Sequence, residues 1–169
     1  NQTAIRLIRN SKNKFGLINS ERQSKGRGQY GRKWISYKGN LFASFFHPFD
    51  QNKFSIERAT KLNCNLVKKL LSKYVKNEIT FKKPNDLLIN KEKISGILQE
   101  IITKSDNKFL ITGIGINVIK NPNIKNYPAT NLYTITGKKI KKSELENNLK
   151  LFFENQISKM YKINYNNSK

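Results

Sequence analysis

The stretch Gln23-Ser-Lys-Gly-Arg-Gly-Gln-Tyr-Gly-Arg-Lys-Trp34 interleaves glycine and arginine within one short segment. Glycine tolerates positive φ and lets the backbone approach a ligand closely. Backbone N–H groups beside guanidinium groups are donors that suit a phosphate or a carboxylate, and Trp34 adds a flat stacking surface. The segment therefore has two interpretations: a flexible basic surface loop, which glycine and arginine alone favour, and an anion-binding loop. It is not a Rossmann fingerprint, because no helix-forming run follows the last glycine.

The size and charge of the chain limit its class. Its 169 residues are enough for one domain with a hydrophobic core. A net charge of +22 raises nucleic acid as a partner, but the lysines are spread along the whole sequence, so we expect no specific nucleic-acid partner. No apolar run reaches the length of a membrane span and no signal peptide is visible. We expect a cytoplasmic protein with no membrane partner.

The single cysteine and the single histidine limit the available chemistry. Cys64 cannot form an internal disulfide and is expected to be inert, and His47 cannot build a histidine-rich metal site. We predict no metal site made by the protein alone. We also predict no Ser/His/Asp or Cys/His nucleophile.

Hydrophobic periodicity predicts a mixture of helices and strands. Helices are predicted at residues 1–13, at 55–75, and from a capping box at Ser143 and Glu146 onward. Strands are predicted at 15–22, 40–47, 79–82, 86–90, 93–102 and 109–117, with a turn at Lys91 and Glu92. A polar connection is predicted at 120–142, and an Asn-rich tail ends the chain.

Three groups of motifs, in this order, resemble the signatures of the biotin protein ligases. The first is Gly26-Arg-Gly-x-x-Gly-Arg-x-Trp34 followed by Gly39-Asn-Leu-x-x-Ser44. The second is Lys82-Lys-Pro-Asn-Asp86 with Lys93-Ile-Ser-Gly-Ile-Leu98, and the third is Gly113-Ile-Gly-Ile-Asn117. The resemblance covers nearly the whole chain.

The resemblance implies an α+β fold, in which a mixed, largely antiparallel sheet carries helices on one face, related to class II aminoacyl-tRNA synthetases. Residues 1–169 would form a single catalytic domain that lacks its first residues. We expect neither an N-terminal DNA-binding domain nor a C-terminal β-barrel in this sequence. The resemblance is also compatible with a homodimer.

The resemblance assigns the glycine loop to biotin and its acyl phosphate. Gln23 would face the head group of biotin, while Arg27, Gly28 and Gln29 would close around biotin and the acyl phosphate. Asn1 would be the last residue of a Ser-Thr-Asn motif that helps to hold biotin.

The later motifs would supply the remaining contacts. Lys93 would contact the biotin carboxylate and the α-phosphate of ATP, aided by Arg27 and Lys82, and Asp86 would orient or deprotonate the acceptor amine. Asn85 and Asn117 would read the adenine. The other residues expected to bind substrate are Gly26, Trp34, Gly96, Gly113 and Gly115.

The implied activity forms biotinyl-5'-AMP from biotin and ATP with Mg²⁺, releases pyrophosphate, and transfers biotin to a lysine of a carboxylase's biotin carrier domain. Two residues depart from the family pattern, which usually has Arg at Gln29 and Trp at Lys83. We expect weaker retention of the adenylate and one altered packing contact. The alternatives are a lipoate or octanoate ligase, a basic nucleic-acid-binding domain, and a degenerate ligase that binds without turnover.

Overall fold

The computed structural model describes residues 1–125 and 127–161, and the Asn-rich tail lies outside the described residues. The helices are α1 (Gln2–Asn10), α2 (Ile56–Leu71), α3 (Leu132–Thr136) and α4 (Lys142–Tyr161). The strands are β1 (Gly16–Ser20), β2 (Leu41–Pro48), β3 (Ile79–Lys82), β4 (Asp86–Ile89), β5 (Glu92–Lys104) and β6 (Asn107–Ile116).

The six strands form one sheet in the order β1-β2-β6-β5-β4-β3, and every neighbouring pair is antiparallel. The predicted α+β class and the largely antiparallel sheet are therefore confirmed. Strand β6 lies inside the sheet, between β2 and β5. A parallel bridge joins Lys93 to Ala129 outside the strand ladders.

One face of the sheet carries the main hydrophobic core. Apolar side chains of β2, β5 and β6 pack there against α2 and α4, and the rings of Phe45 and Phe153 stack with centroids 3.6 Å apart. Alternation along a strand sends every second side chain to this face. The prediction of helices on one face is thus correct for α2 and α4.

Helix α1 lies on the opposite face, which the prediction did not anticipate. Its buried Ala4 and Ile8 pack against Phe46 of β2 and Ile111 of β6, and these two strand residues are directly paired. Within a strand, residues two positions apart point to the same face of the sheet. The face that carries α1 therefore also carries Ser44 and Gly113.

Strand register brings glycines together on this second face. Gly96 of β5 lies opposite Gly115 of β6, and Gly115 lies opposite Phe42 of β2. Gly113 is paired with Ser44 on one side and with Leu98 on the other. Since Gly96 and Gly115 carry no side chain, the sheet has a shallow trough at its centre.

The hairpin between β4 and β5 turns one residue earlier than predicted. Its turn residues are Asn90 (φ 51°) and Lys91 (φ 66°), and Glu92 already belongs to β5. A two-residue hairpin of this kind needs positive φ at both positions. Asn adopts positive φ more readily than most residues, which favours the turn at Asn90 over the predicted turn at Lys91 and Glu92.

The capping box predicted for the last helix is wrong. Helix α4 begins at Lys142, and the carbonyl of Lys141 accepts hydrogen bonds from the N–H groups of Glu144 and Leu145. Ser143 therefore lies inside the first turn. The carboxylate of Glu146 instead lies 3.6 Å from the Lys142 ammonium.

The polar connection between β6 and α4 contains a helix that the sequence analysis missed. The side chain of Asn131 accepts a hydrogen bond from the Thr134 N–H (2.8 Å) and caps α3, which Gly137 ends with φ 68°. These are ordinary helix start and stop signals. At five residues, the helix is too short for hydrophobic periodicity to reveal.

Candidate active site

A cleft of about 1170 Å³ opens on the glycine-bearing face of the sheet. Fourteen of the fifteen residues predicted to form the site line it: Asn1, Gln23, Arg27, Gly28, Gln29, Trp34, Lys82, Asn85, Asp86, Lys93, Gly96, Gly113, Gly115 and Asn117. Its volume is slightly above the usual range of about 300–1,000 Å³ for small-molecule sites.

Gly26 is the one predicted site residue that does not line the cleft. Its carbonyl accepts a hydrogen bond from the Trp34 N–H (3.0 Å), which closes the base of the loop. A Cβ at Gly26 would overlap the Trp34 carbonyl. Gly26 therefore shapes the loop, and Gly28, which lies further along it, faces the cleft.

The trough formed by Gly96 and Gly115 holds the indole of Trp34. A Cβ at Gly96 would lie 2.8 Å from the ring atom Cζ3, and a Cβ at Gly115 would overlap the ring. Similarly, a Cβ at Gly113 would overlap the Asn1 side chain. These three strand glycines are among the residues that the resemblance assigns to substrate binding. Here the space over each of them is filled by a side chain of the cleft wall.

Lys93 and Asp86 form an ion pair at the centre of the cleft wall. The Lys93 Nζ lies 2.7 Å from the Asp86 Oδ1, and the two side chains are only 17% and 8% exposed. The pair forms because β4 and β5 are antiparallel neighbours joined by a tight turn. Removing either partner of a pair this buried leaves an uncompensated charge.

Tyr127 completes this group, although the sequence analysis gave it no role. Its hydroxyl donates a hydrogen bond to the Asp86 Oδ2. Burial, followed by the hydrogen bond and the charge of Asp86, raises the pKa of Tyr127 to about 12. The hydroxyl therefore remains a donor at neutral pH. The Lys93 Nζ lies 5.1 Å from the centre of the Trp34 ring and 5.3 Å from that of Tyr127.

A second polar group joins the glycine loop to α1. Glu100 of β5 accepts from the Arg27 guanidinium (2.7 Å) and from the Asn1 amide (2.6 Å), and the Ser44 hydroxyl donates to the Asn1 Oδ1 (2.9 Å). Arg27 is 46% exposed, so this ion pair is weak. Arg27 can therefore exchange Glu100 for an anionic ligand. Glu100 was also missed, although its place on the cleft face follows from alternation along β5.

The predicted amide contacts are partly engaged with the protein itself. The Asn85 amide donates to the Ile97 carbonyl (2.5 Å), and the Asn117 amide donates to the Thr130 carbonyl (3.0 Å). The Gln23 Oε1 accepts a hydrogen bond from Ser36 (3.2 Å). The first two bonds fix Asn85 and Asn117 against the backbone, and the third joins Gln23 to a neighbouring side chain. Asn117 Oδ1 is left available as an acceptor.

Besides Asp86 Oδ1, which is paired with the Lys93 ammonium, three buried polar atoms at the cleft have no hydrogen-bond partner within the described part of the chain: Gln29 Oε1, Trp34 Nε1 and Asn117 Oδ1. Buried polar atoms are nearly always paired, so three in one cleft favour a polar ligand. They include acceptors and a donor, which fits a ligand that carries amide or heteroaromatic nitrogen. Lys83, where the family usually has Trp, is exposed at the rim.

No group of three His, Cys, Asp or Glu side chains that could hold a metal ion occurs at residues 1–125 and 127–161. The acidic residue lining the cleft is Asp86. Magnesium commonly uses one or two carboxylates together with substrate phosphates. Both oxygens of Asp86 are engaged, by Lys93 and by Tyr127, so the phosphate oxygens of a nucleotide and water would supply most of the ligands of a bound Mg²⁺.

The lone histidine and cysteine lie apart from this chemistry. Both are buried, and burial lowers the pKa of His47 despite its hydrogen bond to the Pro48 carbonyl. Burial, aided by the charge of Asp86, raises the pKa of the Cys64 thiol to about 12. Cys64 is therefore a poor nucleophile at neutral pH. In the described residues, no helix is both long and apolar enough to cross a membrane.

Comparison with known proteins identifies relatives of the chain. The chain is 32% identical over 161 residues to the bifunctional ligase/repressor BirA of Bacillus subtilis. The aligned region covers 90% of this chain and 49% of that protein. The chain thus spans about half the length of this relative.

Two solved structures have a similar fold. Biotin protein ligase from Aquifex aeolicus, in complex with biotin and ATP, has a TM-score of 0.72 and 32% identity, covering 91% of this chain and 66% of that one. Biotin protein ligase from Leishmania major, in complex with biotinyl-5-AMP, has a TM-score of 0.73 and 26% identity, covering 94% and 70%.

The family model for biotin/lipoate A/B protein ligases matches residues 3–117. The matched span contains the glycine loop, Asp86, Lys93 and the glycines of β6, and it includes most of the residues that line the cleft. On this evidence the chain belongs to the biotin/lipoate A/B protein ligase family.

Proposed function

We propose that this chain is the catalytic part of an ATP-dependent biotin protein ligase. The observation that carries the proposal is the meeting of Lys93, Asp86 and the Arg27 loop in one cleft. Those residues belong to the motifs shared with the biotin protein ligases, and proteins with that name are among the similar structures.

In the first step, a carboxylate oxygen of biotin attacks the α-phosphorus of ATP. A new P–O bond forms, the bond to the bridging oxygen breaks, and pyrophosphate leaves with the electron pair. Both reactants are anions, so cationic groups that neutralise the developing charge are the main requirement. Lys93, Arg27 and Lys82 line the cleft and supply this charge. Mg²⁺, when bound with the nucleotide, would neutralise phosphate charge.

Two of these cations are paired with carboxylates of the protein before substrate binds. Lys93 is bound to Asp86 and Arg27 is bound to Glu100, so each cation must exchange a carboxylate of the protein for an anion of the substrate. These exchanges preserve the charge balance around each cation. They also hold both side chains near their working positions before the substrate arrives, which reduces the entropy cost of binding.

In the second step, a lysine amine of the acceptor attacks the acyl carbon of biotinyl-5'-AMP. The C–N bond forms and the C–O bond to phosphate breaks, so AMP leaves with the electron pair. Asp86 receives or orients the amine proton, as general-base chemistry requires. The acceptor is the biotin carrier domain of a carboxylase, and we place the reaction in the cytoplasm.

The decisive experiment measures pyrophosphate release from ATP with biotin, with lipoate and with neither acid, using the full-length protein. Lys93→Ala is the test variant. Lys61→Ala is the matched control, because Lys61 is exposed on α2, on the helix that packs against the other face of the sheet. We expect release with biotin only, lost in Lys93→Ala and retained in Lys61→Ala.

Each other outcome has a definite meaning. Release with lipoate in place of biotin would reassign the acid while keeping the adenylation chemistry. Release that survives in Lys93→Ala would remove Lys93 from the reaction. No release with either acid would contradict the proposal and favour a ligase-like chain that binds without turnover.

A further inference from the structure

The position of Tyr127 is fixed by the backbone that follows it. The Lys93 N–H donates to the Pro128 carbonyl (2.9 Å), and the Thr130 N–H donates back to the Lys93 carbonyl (2.9 Å). These two bonds tie the connection after β6 to the first residues of β5. Tyr127 precedes this tie, and its side chain therefore reaches the cleft beside Asp86.

The Tyr127 side chain contacts three charged groups of the cleft. Its hydroxyl binds the Asp86 Oδ2, while the Lys93 Nζ occupies the Asp86 Oδ1 at 2.7 Å. The centre of its ring lies 5.0 Å from the Lys82 Nζ and 5.3 Å from the Lys93 Nζ. The two oxygens of Asp86 are thus held by two different partners.

We propose that Tyr127 is a positioning residue for the transfer step: its hydroxyl holds Oδ2 of Asp86 so that Oδ1 faces the acceptor amine. The inference rests on the proposed ligase function and goes further by separating the two reaction steps. Tyr127 acts on the second step through Asp86 and does not touch the atoms that react in the first.

Once Lys93 exchanges Asp86 for substrate in the first step, Asp86 needs another partner to keep its orientation, and Tyr127 is that partner. When Lys93 turns to the carboxylate and phosphate of the substrate, the Asp86 Oδ1 loses its cation. A buried carboxylate left without any partner is costly, and its side chain would be free to rotate. The Tyr127 hydroxyl remains bound to Oδ2, which keeps the carboxylate oriented with Oδ1 open.

The transfer step then has a defined path for its proton. The amine nitrogen forms a bond to the acyl carbon, the bond from that carbon to the phosphate oxygen breaks, and AMP leaves with the electron pair. The proton of the attacking nitrogen passes to the open Oδ1 of Asp86 and from there to water. Tyr127 itself loses no proton.

The test separates the two half-reactions in the full-length protein. Adenylation is followed by biotin-dependent pyrophosphate release. Transfer is followed in a single turnover, from preformed biotinyl-5'-AMP to the biotin carboxyl carrier domain of a bacterial acetyl-CoA carboxylase. The variant is Tyr127→Phe, which removes the hydroxyl and keeps the ring over both lysines.

We expect Tyr127→Phe to slow transfer roughly 10- to 100-fold, the range for losing one hydrogen bond to a charged group, and to change adenylation less than about twofold. Tyr74→Phe is the matched control. Tyr74 also donates its hydroxyl to a carboxylate, that of Glu144 (3.1 Å), outside the residues that line the cleft. This variant should leave both half-reactions unchanged.

A double-mutant cycle with Asp86→Asn shows whether Tyr127 acts through Asp86. In the Asp86→Asn background, adding Tyr127→Phe should change the residual transfer rate by less than about twofold. An undiminished effect in that background would overturn the inference, as would equal slowing of both half-reactions or unchanged transfer in Tyr127→Phe. Absence of biotin-dependent pyrophosphate release in the wild type would instead remove the proposed function, and this inference with it.

Discussion

Replacing Gly115 by alanine tests how closely Trp34 packs on the sheet. A Cβ at Gly115 would overlap the Cζ2 and Cε2 atoms of the indole. Carbon atoms in contact prefer separations of about 3.5–4.0 Å, so the ring must move by roughly 1 Å to admit the methyl group. Gly115 does not have a positive φ, and alanine therefore suits its backbone conformation.

The magnitude follows from two opposing terms. Overpacking a well-packed site costs about 1–3 kcal/mol. Exchanging Gly for Ala at a compatible backbone position stabilises by about 0.4–1 kcal/mol through the unfolded state. Trp34 belongs to a loop and its Nε1 has no partner in the described residues, so the ring can move. We expect a net loss of about 1 kcal/mol in the free energy of unfolding and a more exposed indole.

The assay uses the fact that Trp34 is the only tryptophan of the chain. Its fluorescence emission should shift to longer wavelength in Gly115→Ala, and urea unfolding gives the change in stability. Gly28→Ala is the control, because the nearest atom to its new Cβ would be 3.4 Å away. Emission and unfolding free energy equal to those of the wild type in Gly115→Ala would refute the close packing of Trp34 on β6.

Three further predictions concern other parts of the chain. Gln29→Arg should slow the dissociation of biotinyl-5'-AMP, measured with labelled intermediate, because it restores the guanidinium usual at this position; an unchanged or faster off-rate would contradict this. Burial lowers the pKa of His47 below its ordinary value of 6.5, so below pH 6.5 the unfolded state binds more protons than the folded state. The free energy of unfolding should therefore fall as the pH drops below that value, by at most about 1.4 kcal/mol per pH unit. Urea unfolding should show a smaller fall in His47→Gln. Asn40→Ala should lower the unfolding free energy by about 3 kcal/mol, because the Asn40 Oδ1 accepts hydrogen bonds from the backbone N–H groups of residues 118, 119 and 120. A loss below about 1 kcal/mol in urea unfolding would contradict this and show that water replaces the amide.

The sequence by itself determined the elements whose signals are local. The apolar run of β2 and the one-sided periodicity of α2 predicted their types and approximate limits, because side-chain alternation and helical repeat depend only on neighbouring residues. The glycine loop, Lys93 and Asp86 were identified in the same way, from short motifs. Even there, local signals misplaced the turn at Asn90 and Lys91 by one residue.

Only the tertiary structure decided which distant residues complete the cleft. Tyr127 is 41 positions from Asp86, and Glu100 is 73 positions from Arg27. Both contacts depend on the register of β5 and β6 and on the tie between Lys93 and residues 128–130, which no local pattern encodes. The same register sets Gly96 opposite Gly115 under Trp34. The chemical types of the site residues can therefore be predicted from the sequence, whereas which of them come into contact across the sheet depends on strand order and hydrogen-bond register.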